Sequence, residues 1–304
     1  MKLPLKKLLI AGAIAYALVL AFSYLLAPAM LVRPTRDRFD PALMPPELRE
    51  TSEEVEIPAG RDFIVRGTLV RGRVGLPLVI LIPDHAHSRR SVMSRAVDLM
   101  KENFPVLALD PRGQGLSDGR YCTYGLREAD DVRAAIDFMA KRNVAGGEGV
   151  ILYGVEGGAT VAAMEATSDP RVVALILESP FANLREALIY RACLSGILPS
   201  FLGALPVDIL LRATTDIVQG FDASSIDVEA LVGSLQIPVL LVHGDQGERF
   251  PTEHFDRVYR SMKNPHSQRL IISGPSGRPW RRPSNELFRS GLGTFLRTLL
   301  PPNQ

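Results

Sequence analysis

The sequence predicts an α/β protein, built on a mostly parallel, doubly wound sheet with an inserted helical cap and preceded by one transmembrane helix. Three observations carry that prediction. Short apolar runs recur along the chain: PLVILIP (77–83), VLALD (106–110), GVILYG (149–154), VVALILESP (172–180), PVLLVHG (238–244) and RLIIS (269–273). Their hydrophobicity is continuous rather than alternating, which marks strands buried on both faces. Helical spacing lies between the runs, and alternating strand and helix imply right-handed crossovers on one parallel sheet. An uncharged apolar segment opens the chain.

That segment runs from Leu8 to Val32, after Lys2, Lys6 and Lys7 and before Arg33, Arg36 and Arg38. It is long enough to span a hydrocarbon core. A cleaved signal peptide is the alternative, with Ala27-Pro28-Ala29 as the cleavage site. Signal cores are shorter than this run, and a proline inside the site is awkward. A retained single-pass anchor over residues 1–32 is therefore expected, with the membrane as partner through 8–32. The lysines and the amino group ahead of the helix favour an inside N-terminus and an extracytoplasmic main domain. Residues 33–53, rich in proline and charge, read as a linker, and the main domain is expected over 54–300.

The segments SEEVEIPAG and FIVRGTLVRG predict a starting hairpin over about 52–72. Val132, Ala135, Ile136 and Met139 form one helix face. Phe255, Val258, Tyr259 and Met262 form a second, and Leu287, Phe288, Leu292, Phe295 and Leu299 a third. Residues 181–235 separate two strands by far more than an ordinary crossover. Apolar and interrupted by Pro199 and Pro206, they are expected to be a cap, with a small molecule, a lipid or a protein as the ligand beneath it.

Composition excludes some functions. Of 304 residues, 35 are basic and 33 acidic, a net charge of +2, which gives no basis for a nucleic-acid partner. The two cysteines, Cys122 and Cys193, form neither a disulfide framework nor a zinc pattern. No motif calls for a cofactor.

Several motifs in order carry a resemblance: DPRGQGLSDG (110–119), CTYGLREADDVRAAIDFM (122–139), YGVEGGAT (153–160), LESPFANL (177–184) and GFDASSIDVEALVGSLQIPVLLVHG (220–244). Together they resemble the α/β-hydrolase family, in particular serine esterase and aminopeptidase-like members with an N-terminal membrane helix. The resemblance covers about residues 50–300. It implies a serine at a strand-to-helix elbow, a histidine to take its proton, an acid to orient the histidine, and backbone N–H groups for the oxyanion.

Each of those positions departs from the pattern. Glu156 stands at the nucleophile position, between the elbow glycines Gly154 and Gly158. The acid position is Gly247, with Asp245 nearby. The histidine position is Gly277, in a loop that contains no histidine. Pro83 and Asp84 stand in the oxyanion loop; proline has no N–H, and aspartate brings negative charge where a donor is needed. Joint loss at four positions argues for a catalytically degenerate member that binds a ligand or partner. The alternative is an active hydrolase using a non-serine constellation around Glu156. His85 and His87, possible pocket residues beside Asp84, are open to two readings: ligands of a metal together with Glu156, or members of a solvated loop. No compact ligand motif supports a metal. Asp110, with Arg112, and Glu178 are expected to hold loops together.

Overall fold

The computed structural model describes residues 5–27, 32–33, 37, 40–85, 87–144, 149–194, 200–217, 225–246, 252–275 and 286–300. The chain divides into two compact units. One comprises Met1–Arg33 with Leu184–Ile226, the other Pro34–Asn183 with Asp227–Gln304.

The larger unit holds the sheet. Its strands are β1 (Ser52–Gly60), β2 (Phe63–Val70), β3 (Leu78–Ile82), β4 (Val106–Asp110), β5 (Val150–Val155), β6 (Val172–Glu178), β7 (Val239–Gln246) and β8 (Gln268–Pro275). Their spatial order is β1-β2-β4-β3-β5-β6-β7-β8. β2 runs antiparallel to β1 and β4, and the remaining pairs are parallel. The apolar runs are thus strands, and the hairpin lies where the alternation places it. β3, β4 and β5 are buried along their whole length, as two covered faces require. Val79, Leu81, Ile151, Tyr153, Ala174 and Ile176 form one face and share a core with Met93, Ala96, Leu99, Phe288, Leu292 and Phe295. Those six partners lie on two helices, Met93–Lys101 and Glu286–Thr298. The opposite face meets the helices Glu128–Lys141 and Gly157–Ala166.

Two boundaries differ from expectation. Residues 40–51 are less a linker than the edge of the core. Pro41–Leu43 and Pro46–Leu48 form short 3₁₀ turns, and Met44 and Leu48 are buried against the helix-bearing face. Met44 and Leu48 give this stretch apolar surface to bury, so it packs instead of trailing free. The insertion is also shorter than 181–235, because Val228–Ser234 is a helix of the sheet unit. The Asp227 carboxylate caps it, accepting from Ala230 N–H at 2.8 Å. Val228 and Val232 then bury one face.

The smaller unit contains Leu5–Leu25, Leu184–Leu194 and Ser200–Ile217. Its first and last helices pack together. Arg185 and Asp208 form a bidentate pair at 2.6 and 2.9 Å between the second and the last. The last helix continues through Pro206 rather than ending there; Pro199 lies outside the described residues. Leu5–Leu25 is long and apolar enough to cross a membrane, at about 30 Å by helical rise. Leu8, Ile14 and Leu18 are among its outward-facing side chains. It starts before Leu8 and ends at Leu25, short of Val32.

Candidate functional site

β5 ends at Val155 and the next helix begins at Gly157. Glu156 makes the turn between them, at φ 51° and ψ −111°. This region is sparsely populated for a residue with a side chain and costs on the order of 1–3 kcal/mol. The surrounding contacts hold it: Glu156 N–H donates to Glu178 O at 2.8 Å, and Glu156 O accepts from Ala159 N–H at 3.0 Å. The flanking glycines are sterically required. A Cβ on Gly154 would lie 2.3 Å from Gly158 O, and one on Gly158 would lie 2.3 Å from Ile82 O and 2.5 Å from Pro83 O. The turn is a sharp strand-to-helix elbow with a buried glutamate at its apex.

Asp84 crosses from the end of β3 to this elbow. Its Oδ1 accepts the Gly157 N–H at 3.1 Å and lies 2.9 Å from His85 Nδ1. His85 Nε2 lies 2.8 Å from the Tyr124 hydroxyl. A carboxylate only accepts, so Nδ1 donates to Asp84, while Nε2 meets the phenol. The result is a chain Asp84–His85–Tyr124 with both ring nitrogens engaged. Asp84 and Tyr124 are each 5% exposed.

In an elbow of this kind, the N–H of the residue after the apex is one of the two oxyanion donors. Here that N–H is Gly157's, and it serves the Asp84 carboxylate. Negative charge at this point opposes a developing oxyanion. Pro83, in the loop that supplies the other donor, has no N–H of its own.

The remaining predicted positions divide. Pro83, Asp84, His85, Gly154, Glu156 and Gly158 come together at the elbow. His87 belongs to the same loop, where its N–H donates to Asp84 O at 2.9 Å. The two histidines are not a solvated loop, since His85 and His87 are both partly buried and tied to Asp84. Among the described residues no three His, Cys, Asp or Glu side chains converge to hold a metal. Asp245 is exposed on β7, two strands from β5. Gly247 and Gly277 lie outside the described residues. The other histidines have different work. His243 is buried and stacks on Phe255 at 4.9 Å. His254 Nδ1 accepts from Ala182 N–H at 3.1 Å. His266 precedes β8, at the sheet end opposite the elbow.

Asp110 and Arg112 both hold loops, each through its own partner. The Asp110 carboxylate accepts from Arg89 N–H at 2.6 Å and Nη1 at 3.0 Å, and from Leu116 N–H at 3.2 Å. Gly115, at φ 47°, leaves the space that this carboxylate fills. Burial raises the Asp110 carboxyl above its ordinary range, against the pull of Arg89. Arg112 pairs with Asp131 at 2.6 Å. Glu178 accepts from Arg95 twice at 3.0 Å and from the Tyr153 hydroxyl at 2.7 Å. Burial opposes the charge on Arg95, but Glu178, together with Tyr153 and Asp98, more than offsets it, and the guanidinium is held above its usual range.

Sequence reasoning missed Tyr124 and Arg95. Tyr124 adopts φ 51° because Glu128 grips its loop. That carboxylate accepts from Thr123 N–H, Thr123 Oγ1 and Gly125 N–H, each at 2.8 Å. The available signal was Thr123 with Gly125 just ahead of an acidic helix start. Cys122, next to this loop, is a buried thiol.

Comparison with known proteins gives a consistent result. The serine aminopeptidase S33 family model matches residues 78–216. The uncharacterized protein YfhR of Escherichia coli O157:H7 is 26% identical over 83% of this chain and 83% of its own length. YqkD of Bacillus subtilis (strain 168), also uncharacterized, is 26% identical over 63% of this chain. The match spans 61% of YqkD's length, less than two thirds. Among solved structures, the Pyrococcus furiosus esterase PF2001 aligns at a TM-score of 0.69 and 23% identity, over 88% of this chain and 98% of that one. At that identity the likeness is one of fold.

Proposed function

We propose, for a chain that belongs to the α/β-hydrolase family, that the hydrolytic machinery has been given up and the fold serves ligand or partner binding at a membrane. One observation carries this reading: the Asp84 carboxylate occupies the Gly157 N–H on which acyl transfer depends. Losing one oxyanion donor costs roughly 10²–10³ in kcat. Placing a charge of the wrong sign there costs more, and Glu156 offers no hydroxyl. The esterase activity in the name of the Pyrococcus furiosus protein is therefore not carried over to this chain. The apolar helix Leu5–Leu25 supports a retained anchor, and the lysines ahead of it support an extracytoplasmic main domain.

A second reading, hydrolysis through a non-serine constellation around Glu156, draws on the nearby Asp84–His85 pair. Against it, both His85 ring nitrogens are engaged, by Asp84 and by Tyr124, so activating water would require breaking one of these contacts. Turnover of p-nitrophenyl acyl esters by the full-length protein in nonionic micelles separates the two. The expected rate is the solution background, unchanged by Glu156→Gln. Saturable turnover that Glu156→Gln abolishes would establish the second reading.

A further inference from the structure

A cleft of about 470 Å³ opens at the other end of the sheet, in the size range of small-ligand sites. It lies where the chain enters β3 and β4 and where the helix Glu128–Lys141 ends, whereas the elbow follows the C-terminal end of β5. Its walls carry Arg71, Arg73 and Arg142 against a single carboxylate, Glu53. Glu53 pairs with Arg142 and lies 3.8 Å from Arg71. Arg142 also rests on the Phe138 ring at 5.6 Å. Among the described residues Arg73 makes no salt bridge, and its side chain is exposed.

The backbone is shaped for this cleft. A Cβ on Gly72 would lie 2.1 Å from Pro105 N, so only glycine lets the loop lie flat on Phe104–Pro105. Arg71 N–H donates to Thr51 O at 2.9 Å and Arg73 N–H to Asn103 O at 2.7 Å. These bonds fix the arginine backbones on either side of the glycine. Leu69 and Leu76 add apolar lining, and Val74, 94% exposed, belongs to the same wall.

We propose that this cleft binds an organic phosphate, with the phosphate between the arginines and its apolar substituent on Leu69, Leu76 and Val74. Three guanidiniums and one carboxylate leave two positive charges, which match a phosphate monoester dianion. Planar guanidinium forks suit phosphate oxygens. The site stands independently of the reading of the elbow, because it shares no residue with it. The same chemistry is offered by a phospholipid headgroup and by a soluble phosphate ester.

The thermal midpoint of the full-length protein in nonionic micelles tests this. Two probes are titrated separately: hexyl phosphate, and phosphatidate doped into the micelles. A saturable rise with hexyl phosphate supports a soluble ester, and a rise with phosphatidate alone supports a headgroup. In either case Arg73→Glu is expected to weaken the response about tenfold or more. Arg73→Gln serves as the second variant, should the glutamate lower the ligand-free midpoint. No saturable rise with either probe, or one that both Arg73 variants leave intact, would overturn the proposal.

Discussion

Gly158→Ala is expected to destabilise the protein by roughly 3 kcal/mol or more, read as the shift in urea midpoint of the full-length protein in micelles. The added methyl would meet Ile82 O at 2.3 Å and Pro83 O at 2.5 Å. Both are backbone atoms of the β3 end, so no side-chain rotation relieves the clash. Relief requires the helix Gly157–Ala166 to lift off β3, and with it the packing of Ala159 and Ala162, both fully buried. The same shift would move Gly157 N–H away from Asp84. A cost below about 1 kcal/mol would show that this contact is looser than described.

The second large effect belongs to the buried pair under the elbow. Arg95→Met or Glu178→Gln is expected to cost about 3–5 kcal/mol in the same denaturation experiment, because each leaves a charge buried without its partner. Arg95 and Glu178 are 2% and 6% exposed, so water does little to screen the loss. Arg95 also lies 4.2 Å over the Phe288 ring, and Tyr153 donates to Glu178. Removing Arg95 therefore loosens the last helix as well as β6. The double variant Arg95→Met, Glu178→Leu is expected to cost clearly less than the sum of the single replacements, since it removes both charges of this pair and leaves only Asp98, 3.8 Å from Arg95, without that partner. Additive costs would mean that the two side chains are not coupled.

These residues also show what a sequence can disclose. The strands were legible because burial on both faces demands continuous apolar runs, and the elbow because its sterics demand Gly154 and Gly158. The departures at Pro83, Asp84 and Glu156 could be read directly, one residue at a time. What Asp84 does could not. Its partner Gly157 is 73 positions away, and no local pattern reports a contact closed by the meeting of β3 and β5. Arg95 carried no signal at all, because the partner that accounts for its burial, Glu178, lies 83 positions on. Asp110 and Arg112 read as residues that hold loops together, but their partners, Arg89 and Asp131, stand 21 and 19 positions away, and no local pattern names them. The insertion was legible as a break in the strand–helix rhythm, whereas its end at Asp227 depends on a single helix cap.

The proposed function requires that the intact elbow support no acyl transfer. Intact-protein mass spectrometry after incubation with a fluorophosphonate tests it most directly. Such a reagent leaves a stable adduct on a hydroxyl nucleophile that an imidazole and an oxyanion hole have activated. With Asp84 holding the Gly157 N–H and glutamate at the apex, the full-length protein is expected to keep its unmodified mass. A stoichiometric adduct, whether on Tyr124 or a serine, would contradict this reading.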